Sequence, residues 1–187
     1  IGLGALFLVL AHHLFDAGWS VPIRRFCEHL ASLLPFMLIF WIPIYLLRKT
    51  LFSWMSVNPP DEALSAKNPL GTQAGVLIVS LGIFGVWLVL TNGLRSWSLK
   101  QDTMGGSLPT YKMRSYAYWG IFAFAATLTG AAIMWMKAMQ YQWFSTMYGV
   151  YYFASSVWIT LARVYVITMV LTRQGILTDV LHEHQFD

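Results

Sequence analysis

The residues that could do chemistry are concentrated near the start of the chain. An apolar segment there ends in His12-His13-Leu14-Phe15-Asp16. The histidines precede the carboxylate by three and four residues, so on a helix either one can meet Asp16. Ionisable groups are costly at membrane depth, and such a cluster therefore suggests a proton relay or a ligand site. The competing interpretation places these groups at the membrane face, where they pair with one another.

A second cluster follows, with Arg24, Arg25, Glu28 and His29 within six positions. Glu28 is four residues from one arginine and three from the other, so both can pair with it on a single helix. One interpretation is a cytoplasmic helix end with positive-inside arginines. The other makes Glu28 and His29 the cytoplasmic mouth of a proton path that continues through the first cluster. If one helix carries both clusters, Glu28 and Asp16 are about 18 Å apart, and water or other helices must bridge them.

A third group of polar residues recurs every three or four positions near the C-terminus and indicates one helical face. It consists of Ser145, Tyr148, Tyr152, Ser156, Thr160 and Arg163. Arg163 lies about 13 Å inside Thr172 at helical rise, so it either snorkels to the interface or pairs with an acid on another helix. The hydroxyl groups are also compatible with ordinary hydrogen bonding between membrane helices.

The surrounding chain has the composition of a membrane protein. Apolar residues make up 57% and charged residues 11% of its 187 positions, against roughly 25% charged in soluble domains. These values exclude a soluble globular protein and a disordered chain, and they exclude a nucleic-acid binder despite the net charge of +4. The pattern predicts an all-α polytopic transmembrane helix bundle, a single membrane domain whose five spans are 1–17, 31–47, 72–94, 115–136 and 145–171.

The distribution of Lys and Arg predicts the orientation of this bundle. Seven basic residues lie in the links after the first and third spans and in the tail, and four, Lys67 among them, lie on the other side. The first group is therefore assigned to the cytoplasm, which places the turn at Tyr141 outside. A link from Phe52 to Pro69, with proline-containing motifs at 58–60 and 68–69, joins the second and third spans. Because the chain opens inside an apolar run without Met, we expect it to be a piece of a longer membrane protein.

Several kinds of site are excluded by what the sequence lacks. The single cysteine, Cys27, excludes a disulfide framework and a cysteine-ligated metal centre. All histidines within predicted spans are on the first one, which argues against a haem held by histidines on two facing helices. Phosphate-binding loops and metal-binding helix motifs are also missing. We therefore predict no metal, no cofactor and no catalytic residue in this chain by itself.

Two stretches carry a resemblance to a known family. They are residues 12–25 together with Glu28, and residues 143–154, which read WFSTMYGVYYFA. Both are similar to the NrfD-like integral-membrane subunits of alternative complex III, of the ActF type. That complex is a bacterial quinol:electron-acceptor oxidoreductase. The resemblance extends more loosely over essentially the whole chain.

The resemblance implies a subunit of about ten helices in the bacterial inner membrane, of which this chain covers roughly the second to the sixth. It implies a role in assembly and in a proposed proton passage. The partners would be an ActC-like quinol-binding subunit, iron–sulfur and haem c subunits, membrane lipids and a terminal oxidase as one possible acceptor, with a quinone nearby. Met134 and Gln140 stand where the family has acidic residues, which removes protonatable groups from the periplasmic end.

Two other functions remain open on the residues alone. A secondary transporter would need broken helices in paired positions, and Pro43 is the one interruption within a predicted span. A purely structural scaffold would satisfy every polar group by packing. The proton-path hypothesis predicts a water-accessible cavity running from the cytoplasm past Glu28 towards Asp16 and His13.

Overall fold

The predicted all-α fold is confirmed. A computed structural model describes residues 1–16, 18–56, 72–140, 142–143 and 145–175. Of these residues 89% are helical, and no strand occurs among them. The link at 58–69 with Lys67, the end of the first predicted span at Ala17, and Tyr141 lie outside the described residues.

Seven α-helices form the described structure. They are α1 (Gly2–Phe15), α2 (Val21–Ala31), α3 (Leu34–Leu46), α4 (Arg48–Leu51), α5 (Gln73–Met104), α6 (Leu108–Ala131) and α7 (Tyr148–Arg173). Short 3-10 turns occupy Gly18–Ser20, Ser53–Ser56 and Lys137–Gln140, and one π-helical turn occupies Ala132–Met136.

Four helical segments are long and apolar enough to cross a membrane. They are Val21–Leu46, Gln73–Met104, Leu108–Gln140 and Tyr148–Arg173. The remaining predicted span corresponds to α1, an apolar helix of 14 residues. At 1.5 Å per residue α1 is about 21 Å long, less than the roughly 30 Å of the hydrocarbon core. The structure is thus that of a polytopic helical bundle.

The chain reverses direction directly after α1. Asp16 adopts the left-handed conformation (φ 53°, ψ 45°) and ends the helix. After the 3-10 turn, α2 begins at Val21 with Pro22 in its first turn, and it runs back until Leu30 and Leu34 lie beside Gly2. The arrangement in which one helix carries both ionisable clusters is therefore wrong. Helix α2 begins the second membrane segment, so Glu28 lies alongside α1 rather than beyond its end.

Helices α5 and α6 form an antiparallel hairpin closed by two glycines. Gly105 and Gly106 have φ values of 63° and 73°, a conformation that glycine adopts without steric cost. Leu90 packs against Gly120 further along the hairpin. The helix α5 continues ten residues past the predicted end of its span at 94, because its polar last turns bond to α2, as described below.

Aromatic side chains fill the bundle between α3, α5 and the end of α6. Trp135 stacks on Phe84 with ring centroids 5.2 Å apart, and Trp41 and Trp87 complete the cluster. The Trp135 indole donates a hydrogen bond to Ser80 Oγ at 2.8 Å. Trp41 is only 7% exposed. Trp41 therefore belongs to the core of the bundle.

One glycine allows α1 to approach α7 closely. A side-chain carbon at Gly4 would overlap the carbonyl oxygen of Ser156 and the hydroxyl of Thr160. Small residues at a helix contact are how membrane helices come together, and Gly4 provides such a contact for α1.

The outer surface is strongly apolar. On α3, Phe36, Ile39 and Phe40 are 57%, 61% and 66% exposed, and Trp158 on α7 is 78% exposed. Contiguous apolar surface of this kind is rare on soluble monomers. It suits a helix bundle surrounded by lipid or by other membrane helices.

Candidate functional site at the charged end of the bundle

A cavity of about 420 Å³ lies where α1 ends, α2 begins and the α5–α6 hairpin closes. We call this part of the molecule the charged end. It is the end that the Lys/Arg count predicts to be cytoplasmic. The polar residues of the cavity wall are His12, His13, Asp16, Arg24, Gln101, Thr110 and Arg114.

The two histidines of α1 are both buried, but their bonding differs. His12 Nδ1 lies 2.5 Å from the hydroxyl oxygen of Ser20, across the turn that reverses the chain. His13 packs edge-on against His12 and is 5% exposed. Its Nε2 atom is buried and has no hydrogen-bond partner among the described residues. Since buried polar atoms normally have a partner, this nitrogen suits water or a ligand in the cavity.

Asp16 pairs with an arginine of another helix. Its carboxylate oxygen Oδ2 lies 2.9 Å from Nη2 of Arg114 on α6, and its side chain is 81% exposed. The spacing of His12 and His13 from Asp16 did not indicate this partner. Asp16 has left the helical conformation, so its side chain no longer follows the three- and four-residue spacing of α1.

Glu28 is the centre of a buried ion cluster beside the cavity. It is 6% exposed, and the Ser98 hydroxyl donates to its two carboxylate oxygens at 2.8 and 2.7 Å. Arg24 Nε lies 3.4 Å and Arg25 Nη1 3.5 Å from the same carboxylate. Both ion pairs expected within α2 are therefore present. The hydrogen bond from Ser98 also connects α5 to α2, which the sequence did not indicate.

The ion cluster extends along the last turns of α5. Arg25 forms a salt bridge with Asp102, and Arg24 Nη2 lies 3.5 Å from the amide oxygen of Gln101. The Gln101 amide donates to the Thr110 hydroxyl at 3.1 Å, which ties α5 to α6. The sequence reasoning missed these partners. The spacing of Ser98, Gln101 and Asp102 was a usable signal, because it places three polar side chains on one helical face.

The predicted entrance through Glu28 and His29 differs from the observed geometry. Glu28 is not part of the cavity wall, while Arg24 and Gln101 are. His29 is exposed on α2 and does not line the cavity. The distance of about 18 Å along a single helix does not apply either, because the chain reverses between Asp16 and Glu28.

The predicted polar stripe of α7 divides into two parts. The Thr160 hydroxyl is fully buried and contacts the carbonyl oxygens of Ser156 and Ile1 at 2.7 and 2.8 Å. These hydroxyls therefore make ordinary hydrogen bonds within and between helices. Arg163 is exposed and is not part of the cavity wall. Ser145 precedes the first residue of α7, so the stripe begins outside the helix.

The charged end supports two kinds of chemistry. Histidine and carboxylate groups around a water-accessible cavity can exchange protons, and two guanidinium groups can bind an anion. Within the described parts of the chain, no group of three or more His, Cys, Asp or Glu residues could hold a metal ion. No protein-family model matches the chain, and no curated protein matches it either.

Proposed function

We propose that this chain is an integral-membrane subunit of a respiratory quinol-oxidising complex of the alternative complex III type, located in the bacterial inner membrane. It supports assembly of the complex, and its cavity admits protons from the cytoplasm. The observation that carries the proton role is the open cavity with His12, His13 and Asp16 in its wall. Ionisable groups are expensive in an apolar bundle and by default mark a functional site.

The cavity supplies the first steps of a proton path. Its volume of about 420 Å³ exceeds the space that several water molecules need. A proton that enters with water meets the exposed Asp16 carboxylate first and the buried His13 imidazole next. Beyond the two histidines, the buried residues of α1 are apolar and include Leu10 and Leu6, which are 0% and 1% exposed. We infer an entry half-channel, with the onward path supplied by helices outside the described residues or by partner subunits.

The redox chemistry belongs to partners in this proposal. Haem c and iron–sulfur clusters would be held by other subunits, quinol by an ActC-like subunit, and the electrons would pass to a cytochrome c or an oxidase. The exposed apolar faces of α3 and α7 are surfaces on which other membrane helices can pack. Purified in mild detergent, the chain should therefore travel with haem c and iron–sulfur polypeptides. Purification as an isolated transporter that moves a solute into liposomes would contradict the proposal.

The decisive experiment replaces Asp16 by Asn. Asparagine tolerates the left-handed conformation and keeps the shape of the side chain, but it cannot titrate. Proton uptake driven by quinol oxidation in vesicles should fall, while complex yield and haem content persist. A His29→Gln variant is the control, because His29 is exposed and lies outside the cavity. An unchanged proton-to-electron ratio in Asp16→Asn would exclude the relay.

A structural scaffold is the second candidate, and the ion pair between Asp16 and Arg114 favours it. In that case Asp16→Asn lowers complex yield first, or it leaves translocation intact. The transporter alternative would need helices broken in paired positions. Helix α3 continues through Pro43 to Leu46. The interruptions observed within membrane segments are instead the turn between α2 and α3 and the π-helical turn at Ala132–Met136.

A further inference from the structure

We propose that the cavity at the charged end binds a phosphate group, and that the group is the headgroup phosphate of an anionic phospholipid. The inference depends on the cavity and on the membrane location of the helices. It does not depend on the proton role proposed above. Basic pockets between membrane helices at the cytoplasmic side are sites of this kind.

The cavity wall carries a net positive charge. Arg24 and Arg114 contribute two cations and Asp16 contributes one anion. The contact between Arg114 and Asp16 involves one guanidinium nitrogen, and guanidinium has five N–H donors in a planar fork that matches phosphate. The contacts of Arg24 to Glu28 and Gln101 measure 3.4 and 3.5 Å, longer than ordinary hydrogen bonds. Both arginines therefore retain donors for a second anionic partner.

Two neutral groups add to these donors. His13 Nε2 is buried without a partner among the described residues, and the side chain lines the cavity. In the tautomer that carries its proton on Nε2, His13 donates to a phosphate oxygen. Thr110 accepts a hydrogen bond from Gln101, so its own hydroxyl proton is available. A buried donor that lacks a partner beside a cavity indicates a missing ligand or water.

The surroundings favour a lipid over free phosphate. Phe15 and Val21, beside the cavity, are 75% and 58% exposed, and Tyr111, next to Thr110, is 66% exposed. These side chains can contact acyl chains while a headgroup occupies the cavity. The volume of about 420 Å³ lies within the roughly 300–1,000 Å³ of small-molecule sites. The negative charge of the cytoplasmic leaflet raises the local concentration of such headgroups.

The test measures lipid retention by the protein purified with its copurifying subunits. Delipidated protein is incubated with phosphatidylglycerol or with phosphatidylcholine, repurified and assayed for bound lipid by native mass spectrometry. We expect retention of one phosphatidylglycerol and at least tenfold weaker retention of phosphatidylcholine. Arg114→Gln should weaken phosphatidylglycerol binding at least tenfold. Arg173→Gln should leave it unchanged, since Arg173 is exposed and outside the cavity.

Two further measurements distinguish a lipid phosphate from free phosphate and provide a second variant in case Arg114→Gln does not fold. Inorganic phosphate alone should compete at least tenfold more weakly than phosphatidylglycerol, and equal competition would overturn the lipid assignment. His13→Leu removes one donor without changing charge and should weaken binding several-fold, which keeps the proposal testable if Arg114→Gln does not fold. The site would be overturned if Arg114→Gln and Arg173→Gln weakened phosphatidylglycerol binding equally. It would also be overturned if neither Arg114→Gln nor His13→Leu weakened that binding. Neither result affects the Asp16→Asn proton measurement.

Discussion

Two carboxylates at the charged end, Glu28 and Asp16, lie in different surroundings. Glu28 is 6% exposed and is bonded to one hydroxyl and two guanidinium groups. The Asp16 side chain is 81% exposed, and its one ion pair among the described residues is with Arg114. The first group connects α2 to α5 inside the protein, and the second faces an open cavity.

The contrast shows how burial separates a structural charge from a chemically available one. Removing a carboxylate from water costs several kcal/mol, which only a complete set of partners offsets. Glu28 has such a set, so the loss of its carboxylate would disrupt a helix contact. The Asp16 carboxylate is exposed and lines the cavity, so water or a ligand can reach it without a change in packing. Acidic residues in the same charged end thus have different expected roles.

The largest effect that would test this contrast is the loss of the Glu28 carboxylate. Glu28→Ala leaves Arg24 and Arg25 without their shared partner, and we expect the free energy of unfolding to fall by about 3 kcal/mol. Chemical unfolding in detergent micelles measures the change. His29→Ala, an exposed neighbour on the same helix, should change stability by less than about 0.5 kcal/mol. Equal effects of the two substitutions would contradict the structural role of Glu28.

A smaller effect should follow from removing the hydroxyl that links α5 to Glu28. Ser98→Ala deletes a fully buried donor to a carboxylate, and we expect a loss of about 2 kcal/mol. Thr91→Val on the same helix is the matched comparison. The Thr91 hydroxyl is buried and has no partner among the described residues. Removal of the Thr91 hydroxyl should leave the free energy of unfolding unchanged or raise it. Chemical unfolding of the two variants should therefore give changes in stability that differ in sign or clearly in size.

Two substitutions at Asp16 test the role of the exposed carboxylate. Asp16→Ala places an ordinary side chain at φ 53° and should cost about 1 kcal/mol. Asp16→Gly relieves that conformation while it loses only an exposed ion pair, so its stability should stay within about 0.5 kcal/mol of the parent. Thermal unfolding measures both variants. Equal destabilisation would mean that the ion pair with Arg114 contributes more to stability than the left-handed backbone conformation of residue 16 costs.

The smallest expected change concerns His13. His13→Leu removes a buried nitrogen that has no partner in the described part of the chain, so in lipid-free detergent the free energy of unfolding should be unchanged or higher by up to about 1 kcal/mol. His12→Leu loses the contact with Ser20 and should be destabilising by about 1 kcal/mol. If His13→Leu were the more damaging substitution in unfolding measurements, His13 would have a structural role that the geometry does not indicate.

Much of the fold followed from local patterns. Apolar runs of sufficient length predicted helical spans, and four of them are helices long and apolar enough to cross a membrane. The three- and four-residue spacing in α2 predicted the ion pairs of Glu28 with Arg24 and Arg25. These features depend on helical geometry and on hydrophobicity, both of which act over a few residues. The reversal after Asp16 was missed, although Gly18 and Pro22 follow within six residues and both residue types mark turns and helix boundaries.

By itself, the sequence determined that the protein is a helical bundle suited to a membrane, and it placed the ionisable residues near one end. Tertiary structure alone decided which of those residues are partners. Asp16 pairs with Arg114 and Glu28 accepts a hydrogen bond from Ser98, while one buried nitrogen of His13 has no partner among the residues that the structure describes. The physical reason is that Asp16 adopts the left-handed conformation, after which the chain reverses and α2 packs against α1. A contact between residues seventy or more positions apart then depends on how the helices pack, which no local spacing encodes.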